Sequence, residues 1–147
     1  MGAKNLRIGN LVGIKKTALH ADGCNTENEY FEIEELKKDV VHFKGFHAGE
    51  YYKDLKGIEL NAGLLSLYGF DDSDYKEGYT GVEFRTNFIL DFVLAKPLKL
   101  GEWQKYYVFE LGNHRFIQIQ YLHELQNLFF AITTTELELK HERSTCG

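Results

Sequence analysis

The chain has 147 residues and a formal net charge of −5, from 17 basic and 22 acidic side chains, with a pI of about 5.7. That length suits a single compact domain spanning 1–147, able to bury about 68–70% of its unfolded surface without staples. Acidic balance, with Lys15–Lys16 and Lys37–Lys38 as the densest basic runs, disfavours nonspecific binding to nucleic acid.

A hydrophobic share of 44% and a charged share of 27% are those of a soluble globular protein, and the 14% of aromatics with a single proline favours strands. The N-terminal residues lack an apolar core of signal-peptide length, and Leu6 stands where a myristoylation motif needs Ser or Thr. No apolar run approaches the roughly 20 residues that cross a bilayer. Cys24 and Cys146 make no disulfide framework. A cytoplasmic protein without membrane association is expected.

The first part, 1–57, reads as β. "LRIGNLVGI" is a strand pattern whose two glycines suggest a bend or bulge. "HADGCNTEN" is dense in turn residues, "YFEIEEL" alternates apolar and acidic, and "DVVHFKGF" puts Val41 and Phe43 on one face. Short strands joined by tight turns predict a small curled antiparallel sheet, with an SH3-like barrel as one form of it.

The part from 58 to 140 reads as α+β. Asn61 is a good N-cap for a short helix, Leu60 and Leu65 take the positions of a hydrophobic staple, and Gly69–Phe70 fits a Schellman stop. "YTGVEFRTNFILDFVL" reads as one long strand with Val82, Phe84, Thr86, Phe88, Leu90 and Phe92 on one face. "WQKYYVFEL" and "HRFIQIQ" read as two more strands joined at Leu111–Gly112–Asn113, completing an antiparallel meander. "YLHELQNLFFAIT" is a helix. At about 100° per residue, Tyr121, Leu122, Leu125, Leu128, Phe129 and Ile132 form a stripe expected to pack on the meander, with His123, Asn127 and Phe130 on the opposite side. "TELELK" predicts a last strand, and the tail 141–147 is polar.

The same helix opens like an H-E-x-x-H zinc motif. That chemistry needs two histidines four apart, so that both reach one metal, and the second position here is Asn127. His123 and Asn127 are therefore contact candidates and not metal ligands. His20, Cys24, His42 and His47 lack the paired spacing of a zinc site. The loop from Asp72 to Glu83 begins like an EF-hand, but Lys76 and Glu77 stand where a ligand and the obligatory glycine belong. There is no phosphate-binding glycine loop, no nucleophile elbow and no motif for a cofactor. The remaining candidate is a face of the meander carrying Arg85, Trp103, Tyr106, Tyr107, His114 and Arg115, residue types able to stack a planar ligand and hold its phosphates.

Three stretches, "LRIGNLV", "IELNAGLLSLYGF" and "IQYLHELQNLFFAITTTELELK", resemble a group of small proteins encoded by Bacteroidota, their phages and their mobile elements. That group shows an R-I-G-N opening, a central segment ending in G-F, and an H-x-L-Q-N-L-x-F-A ending. This chain departs from it at "NAGLL", where a Thr-Glu-Glu-type helix start is usual, and at "TTTEL", where glycine is usual. The resemblance implies an accessory protein in the cytoplasm of a bacterial cell or phage-infected host, and carries no catalytic mechanism with it. The expected function is a non-catalytic binding protein, acting in counter-defence on a small, cyclic-nucleotide-like ligand or on a host immune protein. The alternatives are a small hydrolase or nuclease using His123 or His114, and a phage assembly component, which would form a homo-oligomer.

Overall fold

The computed structural model of the chain describes residues 5–15, 30–72, 81–86, 92–99, 102–111 and 114–140. In chain order they form strands β1 (Leu11–Ile14), β2 (Phe31–Leu36), β3 (Val40–Phe43), β4 (Gly49–Tyr51) and β5 (Leu55–Lys56), then helix α1 (Ala62–Leu67). Strands β6 (Phe70–Asp72), β7 (Gly81–Thr86), β8 (Phe92–Lys99), β9 (Glu102–Trp103), β10 (Tyr107–Leu111) and β11 (His114–Ile119) follow, and helix α2 (Leu122–Thr133) comes last. The class is α+β, built on two antiparallel sheets. The residues cluster into two compact units, one drawn from Met1–Glu59 and Tyr121–Glu136, the other from Leu60–Gln120 and the described residues from Leu137 onward.

In the first unit the sheet runs β4-β3-β2-β1-β5 with antiparallel neighbours throughout. Alternation in β2 works as its sequence predicts: Phe31 and Ile33 are buried, and Glu32 and Glu34 are exposed. A register shift between Ile33 and Glu35 lets the strand curl, and Val41 and Phe43 of β3 close the same core. With Leu6, Val12, Ile14 and Leu55 these side chains form one apolar cluster. Each of them is worth about 1.5–3 kcal/mol of burial. The sheet ends at β4 and β5 among the described residues, so it is open and not an SH3-like barrel. Helix α2 belongs to this unit and packs on β1, whereas its apolar stripe suggested the meander.

In the second unit the order is β11-β10-β8-β7-β6, with β9 paired to β8. The helix that precedes it is the most local feature of the fold. Asn61 Oδ1 accepts the Leu64 N–H at 2.8 Å, capping α1 as expected. Gly69 ends the helix at φ 86, and Leu60, Leu65 and Phe70 are all buried. The long strand expected across residues 79–94 contains parts of two strands instead, β7 and β8, paired antiparallel from Gly81↔Pro97 to Arg85↔Val93. Period two carries no signal for a reversal. "WQKYYVFEL" likewise splits into β9 and β10, with the Gln104 N–H donating to Pro97 O at 3.0 Å between them. The "TELELK" segment is not a strand: Leu137 is buried, and the Lys140 N–H donates to Leu67 O at 2.7 Å. Residues 141–147 lie outside the described residues.

Candidate functional site

The richest polar arrangement lies in the first unit, where residues 5–10 meet α2. Arg7 and Asn10 close a turn: the Asn10 N–H donates to Arg7 O at 3.0 Å, and Asn10 Oδ1 accepts the Arg7 N–H at 2.8 Å. Gly9 sits at φ 90, the left-handed position that the third residue of a type II turn requires. Gly9 and Asn10 then continue as if paired to β2. The Gly9 N–H donates to Ile33 O at 2.8 Å, and the Ile33 N–H donates to Asn10 O at 2.9 Å. The two glycines read as a bend thus include this one turn, and β1 begins only at Leu11.

Against this turn α2 presents Gln126 and Asn127. Gln126 Oε1 accepts the Leu11 N–H at 2.8 Å, and Gln126 Nε2 donates to Gly9 O at 3.3 Å. Asn127 Oδ1 accepts from Asn10 Nδ2 at 2.8 Å and from Arg7 Nε at 3.1 Å, while its Nδ2 donates to Asn5 O at 2.7 Å. Asn10 is fully buried, at 0% exposure, and Gln126 is buried at 4%. Buried amides of this kind are stable only when fully bonded, so the network works as a clasp between the helix and the turn.

Arg7 extends the clasp to the surface. Its Nη1 and Nη2 donate to Glu136 Oε1 and Oε2 at 2.5 and 3.0 Å, a bidentate fork. The guanidinium also lies over the Phe130 ring, 4.5 Å from its centroid. The fork's hydrogen bond holds the Glu136 carboxyl below its usual range, and the Arg7 charge acts the same way. Glu136 reaches Arg7 through Thr134, which ends α2 at φ 56. A β-branched residue in that conformation costs about 1–2 kcal/mol. An exposed ion pair returns about 0–1 kcal/mol. The fork is therefore close to energetic balance.

His123 departs from its sequence reading. It was placed on the side of α2 away from the apolar stripe, yet it is 4% exposed. The ring stacks on Tyr121 with centroids 5.8 Å apart and planes 10° apart, and Nδ1 has no hydrogen-bond partner among the described residues. Burial pushes its pKa down, opposed by the Glu124 carboxylate one residue on. Glu124 Oε2 itself accepts the Tyr121 N–H at 3.1 Å, half of a capping box. The helix side holding His123, Asn127 and Phe130 is thus occupied by the chain itself. The buried set is Leu122, His123, Leu125, Gln126 and Phe129, whereas Ile132 is exposed.

Of the six residues proposed for a face of the meander, Trp103, Tyr106 and Tyr107 have described side chains. Tyr107 is fully buried, with burial raising its hydroxyl pKa to about 12 and Lys96 Nζ 5.1 Å from its ring centroid. Trp103 is exposed on β9, and Tyr106 is half-buried. Arg85, His114 and Arg115 are placed by backbone register. Arg85 pairs with Val93, Val93 with Glu110, and Glu110 with Arg115, so the two arginines share one row across the sheet. Phe109 pairs with Leu94 and Tyr107 with Ile119, rows that alternate to the other face, as does His114 opposite Leu111.

Among the described residues no group of three or more His, Cys, Asp or Glu could hold a metal ion. His20 and Cys24 and most of the acidic loop, residues 73–80, lie outside them. Among them too, no helix is long and apolar enough to cross a membrane. No protein-family model, no curated protein and no solved structure matches the chain.

Proposed function

We propose that the protein is a non-catalytic binding protein. In its sharpest form it is a counter-defence factor of phage or mobile-element type that takes up a small nucleotide signal, such as a cyclic nucleotide. The observation that supports this is the division of labour around α2. Gln126, Asn127 and Asn10 are engaged by protein partners, which is the work of a scaffold. The surface beside them carries an aromatic ring and a cation: Phe130 is 38% exposed, and Arg7 lies over its ring. An arginine beside an exposed aromatic suits a ligand with a flat ring and negative charge.

A host immune protein is the other occupant consistent with such a surface. Calorimetric titration of the protein with a panel of cyclic nucleotides tests the first form. Binding on the order of tens of micromolar or tighter is expected, and absence of heat with the whole panel removes it. Mass spectrometry of protein purified natively from its host tests the second, which requires a stoichiometric protein companion.

A further inference from the structure

We propose that the Arg7 fork is an oxyanion-binding site of this protein, held by Glu136 as an internal stand-in for a ligand phosphate or carboxylate. This rests on the binding-protein reading and assigns it a location. The geometry is that of a receptor with its guest in place: both terminal nitrogens of Arg7 donate to the two oxygens of one carboxylate. Arginine presents the same two donors to a phosphate. The guanidinium is held by protein on its remaining sides. Asn127 accepts from Nε, Ile8 O and Gln126 O accept at 3.4 Å, and Phe130 lies under the plane. Removing the carboxylate would therefore leave the donors in position.

The stand-in is poorly anchored. Glu136 is half-exposed, at 48% of its side chain, and it is delivered by a β-branched residue in the left-handed conformation. A ligand dianion would bring more charge to the same donors than the carboxylate does. Exposed Phe130 beside the fork supplies apolar surface for a flat group attached to the oxyanion. The ligand class is thus a mononucleotide-like molecule, a phosphate joined to a planar ring.

The test is calorimetric titration with adenosine 5′-monophosphate and with inorganic phosphate, on the wild-type protein and on Glu136→Ala. If the fork is free about a tenth of the time, removing the competing carboxylate tightens the apparent affinity by roughly tenfold. The nucleotide should bind more tightly than phosphate. Phe130→Ala added to Glu136→Ala should weaken the nucleotide and leave phosphate unchanged. Arg7→Lys, with its thermal melt recorded to show that it folds, should lose both. Glu136→Ala binding no more tightly than wild type overturns the proposal. A nucleotide that binds wild type but is indifferent to both Glu136→Ala and Arg7→Lys removes this site and leaves the binding-protein reading standing.

Discussion

Among the described residues with positive φ, Gly9 and Thr134 stand there for opposite reasons. Gly9 meets no steric cost at φ 90, and a Cβ built there finds open space, so conformation alone favours glycine. Thr134 takes φ 56 with a branched side chain. Its hydroxyl recovers something by donating to Thr133 O at 2.7 Å. Thr134→Gly should therefore stabilise the protein, by about 1 kcal/mol. A urea-unfolding midpoint that moves down would contradict this.

His123 gives the second prediction at this scale. Its folded-state pKa is lowered, so the unfolded chain binds the proton more readily, and stability must fall as pH drops below the unfolded value of 6.5. His123→Gln should flatten the loss of melting temperature between neutral pH and about pH 5, taking 6.5 as the point where loss begins. An unchanged slope would show that the ring is not the titrating group.

At the scale of elements, the two helices were read from the sequence with unequal success. Helix α1 was legible because its signals are local: Asn61, Leu60, Leu65 and Gly69 lie within ten positions and each meets its partner nearby. The apolar run of α2 was equally visible, but its neighbour was not. What selects β1 over the meander is the bonding of Gln126 and Asn127 to residues 5–11, at separations of 115 to 122 residues. Gln126 interrupts the apolar stripe, so periodicity counts it as solvent-facing although it is buried. Strands β7 and β8 merged for a related reason, since alternation identifies a face without marking where the chain reverses.

The same contrast sets relative energies. Asn61→Ala removes one cap and should cost about 1 kcal/mol. Asn127→Ala leaves buried Asn10 Nδ2 and Arg7 Nε without their acceptor and should cost more, about 1–3 kcal/mol. Chemical denaturation of the two variants side by side decides it, and equal losses would mean that the clasp contributes no more than a cap.

For the whole molecule, acid and alkali should attack different units. His123 and Glu136, both with lowered values, belong to the first unit. Stability from the Glu136 pairing is present above the unfolded value of 4.5 and is lost as pH falls through the folded one, adding to the loss that His123 begins. Tyr107, raised to about 12, belongs to the second unit. The unfolded chain loses this proton from pH 10.0 upward while the folded one keeps it, so stability there declines above 10.0. Trp103, the single tryptophan, reports on that unit by fluorescence. Tyr107→Phe should move its alkaline transition upward, and a transition that stays put would place the cause elsewhere. The candidate binding features were less legible at this scale. Arg85, Tyr107 and His114 lie on three strands whose pairing partners, Val93, Ile119 and Leu111, no sequence pattern names.

The clasp also has a bearing on how the protein comes into being. Arg7 finds Asn127 across 120 residues and Glu136 across 129. Such closures are entropically costly and slow, and here the helix that finishes the first unit is synthesised after all the described strands of the second. A ribosome-bound chain therefore carries strands β1 to β5 without α2 until those strands have been made, with the ladder groups that Gln126 covers still open to solvent. The turn that precedes β1 is made before every described strand and is completed only once α2 has emerged.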